Sequence, residues 1–232
     1  AFMHTLEDAR ELSRRMVSIG KLSGRRVIAV LADMNQPLGS AVGNSLEVCE
    51  AVETLHGGGP ADFRAHCLTL ASYILVLGGK ADNLEEAHKT AEETLASGKA
   101  FDKFHQLVEA QGGDTRFIDD LSLFPRAKMV EPVLAERSGY LAAVNAKLVG
   151  EAAVILGAGR AKKGDPVDHA VGMLVHHKVG DRVERGERLF TIHANDAARL
   201  EQAQGMCTAS IGWSNSPTAP LPLFYEAITA ED

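Results

Sequence analysis

Three carboxylates recur at every third residue, Glu47, Glu50 and Glu53, after a loop holding Pro37, Gly39 and Gly43 in DMNQPLGSAVGNSLEVCEA, residues 33–51. Residues three apart share a helix face. A Gly-bearing loop can turn its carbonyl oxygens inward, because Gly adopts backbone angles closed to other residues. Carbonyl oxygens with one carboxylate make a donor set for a hard cation. A single negative charge among neutral dipoles suits a monovalent ion better than Mg²⁺. The three carboxylates have different work to do. Asn44 is read as an N-cap and Glu47 as its N3 partner, so NSLE is a capping arrangement. Glu53 is read as surface. Glu50 is not needed by the cap and lies where it can reach residues 38–41, either to join a cation site or to pair with a surface lysine.

The elements that must hold this loop are legible on both sides. Residues 5–24 read as a helix capped by Thr5, with Leu6, Ala9, Leu12, Met16 and Ile19 on one face and Gly24 at its end. RVIAVLA, residues 26–32, is a short apolar run expected to be a strand covered on both faces of a parallel sheet. The loop empties into a helix over residues 44–56, and residues 61–78 form a further helix so apolar that it is expected to be buried. Amphipathic helices follow to about residue 120. After Phe124-Pro125 the pattern changes to short strands joined by Gly turns, with one helix over residues 145–159 capped by Asn145, another near residues 195–204, and an extended Pro-rich tail. A domain boundary is placed at residues 122–128, giving domains 1–124 and 125–232.

Composition narrows the function classes. The 232 residues are 45% apolar and 24% charged, as in ordinary globular proteins, with a net charge of −7. No basic stripe is present, which argues against a nucleic-acid partner. No apolar run approaches the roughly 20 residues of a membrane-spanning helix, and residues 1–20 have no signal-peptide core. Cys49, Cys67 and Cys207 are odd in number and widely spaced, with no CxxC, which points to a reducing cytoplasm rather than a disulfide or zinc framework.

KVGDRVERGERLFTIHA, residues 178–194, reads as a tight hairpin with alternating apolar residues. Such a pattern occurs in biotinyl and lipoyl carrier domains. A carrier-like or scaffold module is therefore a rival reading, with Lys162 or Lys163 of GRAKKGDP as the acceptor.

Taken in order, AFM before the first helix, LADMNQPLGSAVGNSLEVCEAVETL, LGAGRAKKGDPVDHAVG and HKVGDRVERGERLFTIHAN resemble the pyrimidine-nucleoside phosphorylases, the thymidine phosphorylase family, over essentially the whole chain. The resemblance implies an α/β fold: the C-terminal part of the nucleoside phosphorylase α/β domain, followed by a C-terminal α+β domain of barrel-sandwich type. It implies phosphorolysis, in which phosphate as co-substrate attacks C1′ of a pyrimidine nucleoside and releases the base. It implies a potassium ion held by the carbonyls of Leu38 and Ala41 and the carboxylate of Glu50, with the remaining ligands on a phosphate loop. It makes Phe2 a wall of the pyrimidine pocket, where the residues alone suggest a hydrophobic staple. The family's Gly-rich phosphate loop, catalytic groups and homodimer-forming helical domain have no counterpart in this sequence. The chain is therefore expected to be part of a longer protein and inactive alone.

Overall fold

The computed structural model describes residue 3, residues 5–160 and residues 162–230. In chain order the elements are α1 (Leu6–Leu22), β1 (Ala29–Ala32), β2 (Ala41–Val42), α2 (Asn44–Leu55), α3 (Ala61–Leu77), α4 (Leu84–Ala96), α5 (Lys99–Ala110), α6 (Arg116–Asp119), β3 (Met129–Leu134), β4 (Gly139–Val144), α7 (Ala146–Leu156), β5 (Gly172–Val175), β6 (Arg182–Val183), β7 (Arg188–Ala194), α8 (Ala197–Ala209), β8 (Ile211–Ser214) and β9 (Phe224–Ile228). The fold is thus a mixture of helix and sheet. It falls into two compact units, one drawn from Ala1–Met34, Arg64–Thr94 and Leu221–Asp232, the other from Asn35–Phe63 and Leu95–Pro220.

In the first unit α1 starts where the sequence says it must: the Thr5 hydroxyl accepts the Asp8 N–H at 3.1 Å, and Gly24 follows the helix with φ of 69°. The buried face is not the expected one. Leu12, Met16 and Ile19 are 40%, 58% and 63% exposed, while Val17 packs with Leu31 and Ile228, flanked by Ala9, Val27 and Ala29. The reason is steric. Gly20 lies so close to Val27 that a Cβ there would stand 2.2 Å from its Cγ2, so the helix approaches the strand through its small residues. The parallel-sheet expectation for β1 is also corrected. The strand is confined to Ala29–Ala32 and pairs antiparallel with β9, Ala29 opposite Ile228, at the edge the Pro-rich tail supplies. Nor is α3 buried all round: only Leu68 and Ser72 are, and Ile74 is 67% exposed. Uniform apolarity specifies no face, and a single seam of the helix is packed. Arg26 donates to the carbonyls of Val76 and Leu77 at 2.8 and 2.6 Å, satisfying the last turn of α3.

The second unit is built on a four-stranded sheet of order β2-β5-β7-β3 and a three-stranded sheet of order β6-β4-β8. Every strand pairing among the described residues is antiparallel. Phe190, Ile192, Met173, Leu141 and Val149 are fully buried, and α7 packs on α8. Asn145 caps α7 as expected, its side-chain oxygen accepting the N–H groups of Lys147 and Leu148. The expected hairpin over residues 178–194 is not a paired one. β6 pairs with β4 while β7 pairs with β3 and β5, so the turn at residues 184–187 carries the chain from one sheet to the other.

One close approach sets the position of α2. A Cβ on Gly43 (φ 142°) would lie 2.6 Å from the Val171 carbonyl oxygen, and one on Gly172 (φ 154°) would lie 2.3 Å from that of Val42. Two glycines therefore let β2 and the start of α2 sit directly on β5.

Candidate functional site

The loop between β1 and α2 closes around Glu50. Its Oε1 accepts the N–H groups of Ser40 and Ala41 at 2.8 and 2.9 Å, so the carboxylate turns to the loop. Gly39 makes room for it. With φ of 66°, residue 39 has a left-handed conformation, and a Cβ there would fall 2.3 Å from Glu50 Oε2.

The carbonyls are sorted by strand geometry. Val175 donates to the Ser40 carbonyl at 2.7 Å, and Ala41 faces Leu174 in the next register position. Successive residues of a strand turn their polar groups to opposite sides. The N–H and C=O of Ala41 accordingly point away from β5, and the N–H is the one that reaches Glu50. The carbonyls of Pro37 and Gly39 both accept from Lys178 Nζ, at 2.5 Å each, leaving the Leu38 carbonyl between them. Lys178 also pairs with Asp62 at 2.9 Å, and Asp62 accepts the Gly39 N–H at 3.2 Å. Burial is the largest influence on the Glu50 carboxyl and pushes it above its ordinary value. The Ser40 and Ala41 N–H groups pull it down, Asp62 pushes it up and Lys178 pulls it down.

The other two carboxylates have plain roles, one of them shifted. The residue before α2 is Gly43, not Asn44, and Glu47 reaches back to accept the Gly43 N–H at 2.9 Å. Asn44 is already helical and donates instead to the Ala158 carbonyl at 2.7 Å. Glu53 is exposed. Beside the loop lies a cavity of about 1120 Å³, to which Leu38, Ala41, Glu47 and Glu50 contribute together with the aromatic rings of Phe63, Phe104, Phe117 and Phe124.

Carbonyl oxygen and carboxylate are the donor types a hard cation takes, and Glu50 Oε2 occupies the place that a side chain on residue 39 would fill. Among the described residues no three His, Cys, Asp or Glu side chains cluster as a metal site. Phe2 lies outside the described residues. Lys162 and Lys163 belong to the connection between α7 and β5, not to a turn between two paired strands. Sequence reasoning missed Lys178 and Asp62. Lys178 stands 139 residues from Gly39, and no spacing rule links them.

A family model described as the glycosyl transferase family a/b domain matches residues 1–101, and one for the pyrimidine nucleoside phosphorylase C-terminal domain matches residues 140–214. The two matched segments follow one another along the chain. The chain is 49% identical to a pyrimidine-nucleoside phosphorylase of Bacillus subtilis (strain 168) over 195 residues, 84% of this chain and 45% of that protein. It is 42% identical to one of Geobacillus stearothermophilus over 229 residues, 99% of this chain and 53% of the relative. A third relative of the same name, from Staphylococcus aureus (strain USA300), is 47% identical over 195 residues. The chain belongs to the pyrimidine-nucleoside phosphorylase family. It spans about half the length of the curated relatives it matches.

Proposed function

We propose that this chain is the C-terminal part of a pyrimidine-nucleoside phosphorylase, a pentosyl-transferring enzyme that converts a pyrimidine nucleoside and phosphate to free base and (deoxy)ribose 1-phosphate. The observation that carries the reading is the identity of 42% over 99% of the chain to a protein of that name. Residues 1–124 are then part of the central α/β domain and residues 125–232 the C-terminal domain.

In this reaction phosphate displaces the base at C1′ through an oxocarbenium-like transition state, so the protein gains most by fixing anions beside developing positive charge. The carbonyls of Leu38 and Ala41 and the carboxylate of Glu50 would hold a potassium ion, which when bound would supply fixed positive charge to the site. Glu50 orders residues 40 and 41 through its two hydrogen bonds, and Phe2, which lies outside the described residues, is assigned to the pyrimidine by resemblance alone. The phosphate cradle and catalytic groups lie in a segment of the family outside this sequence, as does the helical domain through which the homodimer forms. The enzyme acts in the cytoplasm.

The test is phosphate-dependent release of uracil from uridine, or thymine from thymidine, followed by absorbance. The purified chain should give no turnover. Adding the N-terminal half of the Geobacillus relative should restore it. Turnover by the chain alone would place the catalytic groups within it, and failure to restore any activity would remove the main support for the assignment.

A further inference from the structure

The Lys178 ammonium is held as a small cation would be. An ammonium has three N–H donors, and here they meet two carbonyl oxygens, those of Pro37 and Gly39, and the carboxylate of Asp62. All three contacts fall on the stretch around Gly39 or on the side chain that also accepts the Gly39 N–H. The neighbouring Val179 N–H donates to Gln36 Oε1 at 2.9 Å, a further tie to the same loop. With side chains 24% and 32% exposed, Lys178 and Asp62 are more withdrawn from water than an ordinary surface pair.

Resting on the reading of this loop as a cation site, we infer that Lys178 is a positioning residue, whose ammonium, anchored by Asp62, fixes the loop so that Leu38, Ala41 and Glu50 are presented to a monovalent cation. The carbonyls of Pro37 and Gly39 are drawn to one side by Lys178. The intervening Leu38 carbonyl is thereby separated from its neighbours, and the left-handed turn at Gly39 that accommodates Glu50 is locked from behind. Charge does not oppose this role. Asp62 neutralises the ammonium at 2.9 Å, so Lys178 brings hydrogen-bonding geometry without a net repulsive field.

The test uses the full chain, with Lys178→Met and Lys178→Arg, paired with the N-terminal half of the Geobacillus relative, where the remaining ligands are expected. One readout is hydrogen exchange at the Ser40 and Ala41 amides. The other is the potassium chloride concentration giving the half-maximal rise in Tm, with choline chloride holding ionic strength constant. Loss of a group that orients metal ligands weakens affinity about 10- to 100-fold. Lys178→Met should therefore raise the potassium midpoint about tenfold or more and speed exchange at both amides, with Lys178→Arg recovering part of each. An unchanged midpoint and unchanged exchange would overturn the inference and leave the cation reading intact. A lower midpoint in Lys178→Met would make Lys178 a competing cation and overturn it as well. If the parent, paired with that N-terminal half, shows no response to potassium, the cation reading fails. The exchange data then decide the anchoring role alone: faster exchange supports it and unchanged exchange refutes it.

Discussion

Glu50 Oε2 occupies the space where a side chain on residue 39 would begin: a Cβ built on Gly39 would lie 2.3 Å from it. Loop and helix are thus fitted to each other through one absent methyl group, while Oε1 of the same carboxylate holds the next two amides.

Gly39→Ala should cost more than the same change at Gly24. Both glycines have left-handed φ, 66° and 69°, but a Cβ on Gly24 meets nothing within 4 Å. The backbone penalty of about 1–2 kcal/mol is common to the two. Only Gly39→Ala also displaces Glu50, endangering two hydrogen bonds worth about 1 kcal/mol each. Tm should fall roughly 2–4 °C further than in Gly24→Ala for each additional kcal/mol. Equal losses in thermal unfolding would mean that Glu50 moves aside without consequence.

Glu50→Gln should stabilise the ion-free chain at neutral pH. Burial raises the Glu50 carboxyl above its ordinary value, so the folded state favours the protonated form. That contribution is fully present below the ordinary carboxylate range and is lost as pH rises through the raised value. Gln accepts the same two N–H groups without the charge. The Tm advantage of the variant should be clear at pH 7 and vanish near pH 4. A variant less stable than the parent at pH 7 would refute this.

The isolated chain should bind potassium poorly, because the remaining ligands are expected on the phosphate loop. Once it is paired with the N-terminal half of the Geobacillus relative, potassium should raise the Tm relative to choline at equal ionic strength, and should do so less with Glu50→Ala. The substitution removes the only carboxylate of the proposed donor set, together with its hydrogen bonds to the Ser40 and Ala41 amides at the edge strand β2. An identical potassium response in both proteins would take Glu50 out of the site.

Gly172→Ala should be among the most damaging single-methyl changes in the chain. Its Cβ would stand 2.3 Å from the Val42 carbonyl oxygen and 2.9 Å from Gly43 Cα, both backbone, so no side-chain rotation can relieve the clash. Overpacking of this kind costs about 1–3 kcal/mol, before the left-handed φ is counted. Urea unfolding should show a lower midpoint than Gly39→Ala; the reverse order would mean that β2 lifts from β5 easily.

The three cysteines should separate by rate with an aromatic disulfide reagent. Cys67 is exposed, Cys49 is partly covered and Cys207 is buried. Burial pushes the Cys207 thiol up to about 12, so it holds almost no thiolate at pH 8. Cys67 should react first and Cys207 only on unfolding. Rapid modification of all three in the native chain would contradict the packing of α8.

What the sequence determined by itself is local. Thr5 and Asn145 announce their helices because a cap bonds an amide two or three residues away. Glu50 reaches amides 10 and 9 residues away, still within the loop and helix that adjoin in sequence, so its turn toward residues 40 and 41 was readable as well. Even here one residue shifted: Asn44 found a better partner in the Ala158 carbonyl, and Gly43, pressed against β5, took the position before the helix. Everything that depended on a distant partner was decided by tertiary structure. The apolar stripe of α1 is a valid helical face, yet Gly20 and Val17 are what the strand can approach most closely. β1 was legible as a strand but not its partner, which enters with the tail. The residues from 178 to 194 alternate as a hairpin should, yet each strand hydrogen-bonds a different sheet. Lys178 meets Gly39 across 139 residues, through contacts that exist only after β5 and β2 have paired. A short-range hydrogen bond is specified by residue type and spacing, whereas a long-range one is selected by which surfaces can close against each other without leaving a polar group or a void behind.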